Sequence, residues 1–548
     1  MAKQINLGNV KAKINNQVVD TITGSNGITV TTSGNNITLS SPDMVAHINN
    51  KNNPHNVTKN QLGLGNVENK SPETILNEIT AADVTRALGF NLADKVYPSR
   101  VYGFEIDCNE SDPSSAIRYI GANENYQSAY MDYDNDVFNY GDWINAWFIA
   151  NLKVVLMRFD GTIECELDKN DYSKDIDGNT VDISSANTIG NVMVGIPTVW
   201  IKYDITNPMK PKFYFAPVQV DSTYKAWAHV DANGNVVPYK YIGAYECWKD
   251  SNDRLRSLSG CDPAVSMVTS QEYRYCLANN VSGKNNWQMF AFCDHMLIGL
   301  LLLLIGKSTD TQEVFGAGNG WGYNGNPGTD TAWPKCGSQV WRGAVKTGCM
   351  NQKGLFWGFY DHTTLKNNYR GVKVFGIEHY WGNLWKRMLG IGHWYHDGLN
   401  GGLYIKMTPS TADGSTIQGY LPTPDAANDS NYATGNVTAA DAAKYILLDN
   451  FTTDYGNDEY EPCGIGYQCN GSQFGLLPYG YPNEGNNEYF PDYVDFYHHY
   501  DEGDDFKWTV GYRAGDSDNE SYCGAFYLLL YIEAGYSYSD QAVCLASY

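Results

Sequence analysis

No part of this chain is basic enough to follow a phosphate backbone. Thirty-eight Lys and Arg stand against 61 Asp and Glu, a formal charge of −23 with a pI near 4.7. Nucleic-acid binding needs a cationic stripe that displaces counterions, so no nucleic-acid partner is expected. An anionic membrane surface is disfavoured on the same ground. Long apolar runs are equally scarce. The longest, Met296 to Gly306, is too short to cross a bilayer and suits a core helix, so no membrane insertion is expected. The opening Met1-Ala2-Lys3-Gln4 has no apolar signal region. None of the 12 cysteines forms a Cys-x-x-Cys pair, and Cys463 and Cys469 are six apart. Thiols scattered in so long a chain are expected to be reduced and mostly buried, as in a protein made in a reducing cytoplasm.

What the chain does have is length and aromatic mass. Its 548 residues exceed a single simple core, and an apolar fraction of 43% suffices for globular folding. Residues 1–45 are turn-rich, with short alternating runs at Gly27–Thr32 and Asn36–Ser40 around Ser33-Gly34-Asn35. They carry too little apolar mass to fold alone and suggest an oligomeric stalk or attachment segment. Residues 46–100 hold an extended linker around Pro54, the phrase Leu62-Gly63-Leu64-Gly65-Asn66-Val67-Glu68-Asn69-Lys70, and a predicted helix from Ser71 to Leu88. Leu7-Gly8-Asn9-Val10-Lys11 echoes that phrase. The passage resembles the linker of bacteriophage tail fibres, where such wording precedes a distal module.

From Val101 the aromatic density continues to residue 548. Val154–Met157 and Val192–Ile201 read as strands, and Ser270–Asn279 and Trp287–Gly306 as helices, the second almost wholly buried. Few helices, many short strands and long Gly/Asn/Trp-rich loops predict an α+β domain with structured loops. Within it, Phe375-Gly376-Ile377-Glu378-His379-Tyr380-Trp381-Gly382-Asn383-Leu384-Trp385 sets two tryptophans astride Gly-Asn. That pattern predicts a tight aromatic-packed turn, with Glu378 fixing backbone donors. The phrase resembles the signature of the C-type-lectin-like fold found in formylglycine-generating-enzyme-type proteins and in variable proteins of diversity-generating retroelements. By order of motifs the resemblance covers roughly residues 101–548, including Leu403–Pro409 and Phe474–Pro478. Glu378, Trp381, Gly382, Asn383 and Trp385 are its scaffold motif.

The tail from Trp508 to Tyr548 carries seven tyrosines, five serines, three aspartates and one basic residue, Arg513. Tyrosine offers a large amphipathic face with few rotatable bonds, and serine and glycine adapt around it, as in evolved paratopes. Tyr512-Arg513-Ala514-Gly515-Asp516, Cys523-Gly524-Ala525-Phe526-Tyr527-Leu528 and Val543-Cys544-Leu545-Ala546-Ser547-Tyr548 resemble the opening, centre and close of a retroelement variable region. Ala514 and Glu520 replace usual glycines, Ser517 a tryptophan and Cys544 an arginine. The resemblance implies rewritten, receptor-facing positions at Asp516, Asp518, Asn519, Ser521, Tyr522, Leu529, Tyr531, Ile532, Ser537, Tyr538 and Asp540. Strand alternation adds that Phe526, Leu528 and Leu530 point one way, and Tyr527, Leu529 and Tyr531 the other.

Enzyme-like patterns are weaker. Asp132, Asp134 and Asp136 alternate as in a calcium loop, but Val137 and Trp143 stand where a Gly and a Glu belong. Asp175, Asp177 and Gly178 fit only part of such a loop. His393, His396 and Asp397 have no third partner of known proximity. His498-His499 lies among acidic residues. Cys523 is a candidate reactive thiol, but the sequence does not single out the copper-binding cysteine pair of the formylglycine-generating enzymes. Gly316-x-Gly-x-Gly-x-Gly follows a helix rather than a strand and is no dinucleotide fingerprint. No catalytic group, metal or cofactor is expected. The reading is a non-enzymatic adhesin at the tip of a phage tail fibre, a homotrimer mounted on other tail proteins and gripping a bacterial surface receptor. Its alternative is a tail-associated enzyme acting on surface glycan, which requires two facing carboxylates that no motif singles out.

Overall fold

A computed structural model of the chain describes most of residues 100–406 and 510–548, plus strands at 22–23, 29–33, 36–40, 446–447, 465–470, 473–478 and 494–495. Within the two long stretches, residues 108–109, 111, 205, 208–209, 232, 321–332, 360–370, 397–398, 519–522, 527, 530–531 and 533 lie outside the description. The predicted 71–88 helix, the linker phrases, His498 and His499 fall outside it as well. The chain divides into two compact units, Met1–Arg100 and Val101–Tyr548.

In the first unit the two alternating runs form a hairpin. Thr29–Ser33 pairs antiparallel with Asn36–Ser40, and Ile22–Thr23 adds a third strand.

The second unit is mostly β, with four α-helices among the described residues. Its largest sheet has seven strands in the order Asp171–Asp175, Ile163–Asp168, Lys153–Arg158, Gly190–Pro197, Tyr239–Gly243, Leu545–Ser547 and Trp287–Met289. All eight residues of Gly190–Pro197 are buried, because the strand is covered on both faces and can be apolar throughout. The predicted strand Val192–Ile201 is in fact two. Pro197 has no N–H for a ladder, and after it Trp200–Asp204 joins a separate four-stranded sheet.

The predicted helix at 287–306 begins later. Trp287–Met289 is the edge strand of the large sheet, and the helix runs Phe292–Gly306 with every residue buried. Asp294 starts it by accepting the Ala291 N–H at 3.0 Å, and Lys307 ends it in the left-handed conformation (φ 54°). Gly299 lets the tail lie close against this helix. A Cβ there would stand 2.8 Å from the Phe526 ring.

Candidate functional site

The Trp-Gly-Asn turn is built on strained backbone. Phe375, Gly376, His379, Gly382 and Asn383 all have positive φ, between 49° and 87°. Three of them carry a Cβ, so surrounding contacts must hold them there. Glu378 does so as its sequence suggests: Oε1 accepts the N–H of Gly348 (2.7 Å) and Cys349 (3.2 Å), and Oε2 that of Met350 (2.8 Å). Burial pushes the Glu378 carboxyl up and the Lys373 amine opposite it down, and each charge partly offsets the shift of the other.

Asn383 satisfies its whole side chain. Its Oδ1 accepts from Asn319 Nδ2 (2.9 Å) and the Val345 N–H (2.8 Å), and its Nδ2 donates to Glu246 Oε2 (2.6 Å) and the Val345 carbonyl (3.3 Å). Gly382 has no room for a side chain, since a Cβ would lie 2.5 Å from the Asn319 nitrogen. Trp381 is fully buried and donates from Nε1 to the Gly316 carbonyl at 2.9 Å.

This turn feeds Trp385–Met388, which clamps the tail at two places. One edge pairs antiparallel with Gly511–Arg513 and the other parallel with Gln541–Val543. The main chain adds Gly382 N–H to Ala514 O (2.7 Å), Ser517 N–H to Asn383 O (3.1 Å) and Trp385 N–H to Asp540 O (2.8 Å). Three buried cations reinforce the clamp. Lys386 pairs with Glu246 (3.0 Å) and donates to the Gly382 carbonyl, and Arg387 pairs with Glu272 (2.7 Å) and donates to the Tyr512 hydroxyl. Arg513 donates to the Tyr380 carbonyl (2.6 Å), and its guanidinium lies over the Phe290 and Tyr380 rings. The tail then ends as Leu545–Ser547, inside the seven-stranded sheet.

Between the clamped ends the predicted receptor-facing positions divide. Ser537 and Tyr538 are exposed, Asp518, Ile532 and Asp540 half-buried. Asp516 and Leu529 are interior, 4% and 5% exposed, which corrects their placement on the surface. The strand Leu528–Leu529 runs between Gly511–Arg513 and Val494–Asp495. Its two leucines point to opposite faces and both are buried, so alternation does not set Leu529 on a solvent face. Burial pushes the Asp516 carboxyl up to about 7, with the Asp518 N–H pulling it down and the Asp540 and Asp518 carboxylates adding to the rise. Asn519, Ser521, Tyr522 and Tyr531 lie outside the described residues.

Three neighbours of this surface are missing from the predicted receptor-facing set. Tyr536 is exposed beside Tyr538, with ring centroids 5.1 Å apart. Trp341 donates its main-chain N–H to the Ser539 carbonyl (2.8 Å), and Arg342 pairs with Asp518 (3.0 Å). These two residues come from a loop far from the tail in sequence.

The weaker motifs have structural duties. The Asp136 carboxylate accepts from Trp357 Nε1 (2.5 Å) and Lys353 Nζ (2.9 Å), and Asp175 closes a hairpin turn by accepting from Asp177 and Asn179. Cys523 is buried and donates to the Asp516 carbonyl. The side chains of His393 and His396 lie outside the description. Among the described residues no three His, Cys, Asp or Glu are grouped to hold a metal, and no helix is long and apolar enough to cross a membrane.

No family model matches the chain, and no curated protein matches it in sequence.

Proposed function

We propose that the second unit is a C-type-lectin-like receptor-binding domain, and that the protein is the adhesin at the tip of a phage tail fibre. The observation that carries this reading is the clamped tail. Both its ends are strands held by Trp385–Met388, while Tyr536, Ser537 and Tyr538 between them keep their side chains in solvent. Such a division lets surface residues change without disturbing the core, and tyrosine and serine are the residues that bind varied partners at low entropic cost. The first unit serves as the attachment end, and a homotrimer on the virion raises avidity through several linked copies.

Adsorption of the full chain to a panel of bacterial strains tests this. A Tyr536→Ala/Tyr538→Ala double variant is expected to lose adsorption at least tenfold with its melting temperature unchanged. Undiminished adsorption refutes the reading. Release of reducing sugar from envelopes, abolished by one Asp→Asn change, favours a glycan-cutting enzyme instead.

A further inference from the structure

A lysine, a glutamate and an asparagine meet in the interior where the Trp-Gly-Asn turn enters Trp385–Met388. Asn383, Lys386 and Glu246 are all enclosed, none more than 1% exposed. Lys386 curls back over the turn. Its Nζ donates to the carbonyl of Gly382, the peptide group that leads into Asn383, and stands 3.0 Å from Glu246 Oε1. The other oxygen of that carboxyl, Oε2, accepts from Asn383 Nδ2 at 2.6 Å. One carboxyl group thus holds an amine on one oxygen and a carboxamide on the other.

The carboxamide is itself held as a carbonyl under attack needs to be. Its Oδ1 accepts from Asn319 Nδ2 (2.9 Å) and from the Val345 N–H (2.8 Å). Two fixed donors draw electrons from Cγ and stabilise an oxyanion there. Burial pushes the Lys386 amine down against the pull of the Glu246 charge, and pushes the Glu246 carboxyl up against that of Lys386. Both shifts favour the neutral pair, and a neutral lysine amine is a nucleophile where an ammonium is not. Enclosure of all three residues also keeps water from competing for Cγ.

We propose that Lys386 and Asn383 join in an intramolecular isopeptide bond, made by the folded chain itself with Glu246 as the proton carrier. The ammonium first gives a proton to Glu246. The Nζ lone pair then attacks Asn383 Cγ, and the carbonyl electron pair moves onto Oδ1 between its two donors. A second Nζ proton reaches Nδ2 through the Glu246 carboxyl. The carbonyl re-forms, the Cγ–Nδ2 bond breaks, and Nδ2 leaves as ammonia. The products are a Lys386–Asn383 amide, ammonia and a protonated Glu246, with no oxidant or cofactor consumed. The new bond closes a covalent ring over the turn, fixing the left-handed Asn383 (φ 71°) to the strand that clamps the tail. The inference stands apart from the receptor-binding reading.

Mass spectrometry of the purified, folded full chain tests it. After unfolding and digestion with trypsin, the peptide that carries both residues is expected to be one ammonia lighter than its sequence and uncut after Lys386. Fragmentation should place the loss between residues 383 and 386. Lys386→Arg and Glu246→Gln should each restore the full mass. A parent peptide of full mass, cut after Lys386, overturns the proposal whether or not the variants fold. Ammonia loss that persists in Lys386→Arg marks a backbone succinimide at Asn383 and overturns it as well. Loss of one water, with Lys386 joined to Glu246, overturns Asn383 as the acceptor. Ammonia loss undiminished in Glu246→Gln overturns the role of Glu246.

Discussion

Asn383 Nδ2 stands 2.6 Å from Glu246 Oε2, and the same carboxylate holds Lys386 at 3.0 Å through its other oxygen. One amide thus joins the Trp-Gly-Asn turn to the strand that clamps the tail. Asn383→Asp places a second carboxylate against Glu246 in a site closed to water. It should cost about 3–5 kcal/mol, against about 2–3 kcal/mol for Asn383→Ala, which removes donors and acceptors without adding charge. Chemical denaturation of the two variants gives the order. If Asp is the milder change, the knot is not as dry as its geometry implies.

The interior position of Asp516 predicts a pH dependence. Its carboxyl titrates at about 7 in the folded chain against 3.8 as a free group, so the folded form holds the proton more tightly. Stability from this group is full below pH 3.8 and falls as pH rises toward 7. Other buried carboxyls, Glu246, Glu272 and Asp294, are shifted the same way, so only a difference isolates it. Asp516→Asn should therefore gain melting temperature over the parent at pH 8 relative to pH 5. An equal difference at both pH values contradicts the assignment.

Leu529 and Ser537 are both predicted to face the receptor and lie in different environments. Leu529→Ala empties an inner strand and should cost about 2–5 kcal/mol. Ser537→Ala, in solvent, should stay within about 0.5 kcal/mol. Unfolding midpoints of the pair decide it, and a mild Leu529 variant returns that residue to the surface.

Ala514 holds φ +81° where the resembled pattern has glycine. Left-handed backbone costs an alanine about 1–2 kcal/mol, close to what glycine loses in chain entropy and in one buried methyl. Ala514→Gly should then be nearly neutral, within about 1 kcal/mol. Ala525→Gly, equally buried and without that strain, should be clearly destabilising. Similar losses at both sites mean that the strain at Ala514 is relieved some other way.

Legibility in the sequence followed local chemistry. The Trp-Gly-Asn turn could be read because Gly and Asn tolerate left-handed backbone and a lone Glu beside them suits a ring of N–H donors. The 29–40 hairpin followed from alternation around Ser33-Gly34-Asn35. The start of the long helix was not legible, since Trp287–Met289 and Phe292–Gly306 are both apolar and periodicity does not separate a buried strand from a buried helix. Leu529 is misplaced for a related reason: alternation separates the two faces of a strand only where one of them meets solvent, and here both leucines are buried. Trp341 and Arg342 reach Ser539 and Asp518 only through tertiary packing, which no spacing in the tail encodes.

The place of Leu545–Ser547 between Tyr239–Gly243 and Trp287–Met289 governs the order of events during synthesis. Its neighbour Ile242 precedes Ala546 by about three hundred residues, so the large sheet closes only through a very long-range pairing. Until residue 547 has left the ribosome, the edges of Tyr239–Gly243 and Trp287–Met289 wait unzipped and in need of protection. A chain cut short before that strand never finishes the sheet, so only a copy translated through residue 547 closes the core.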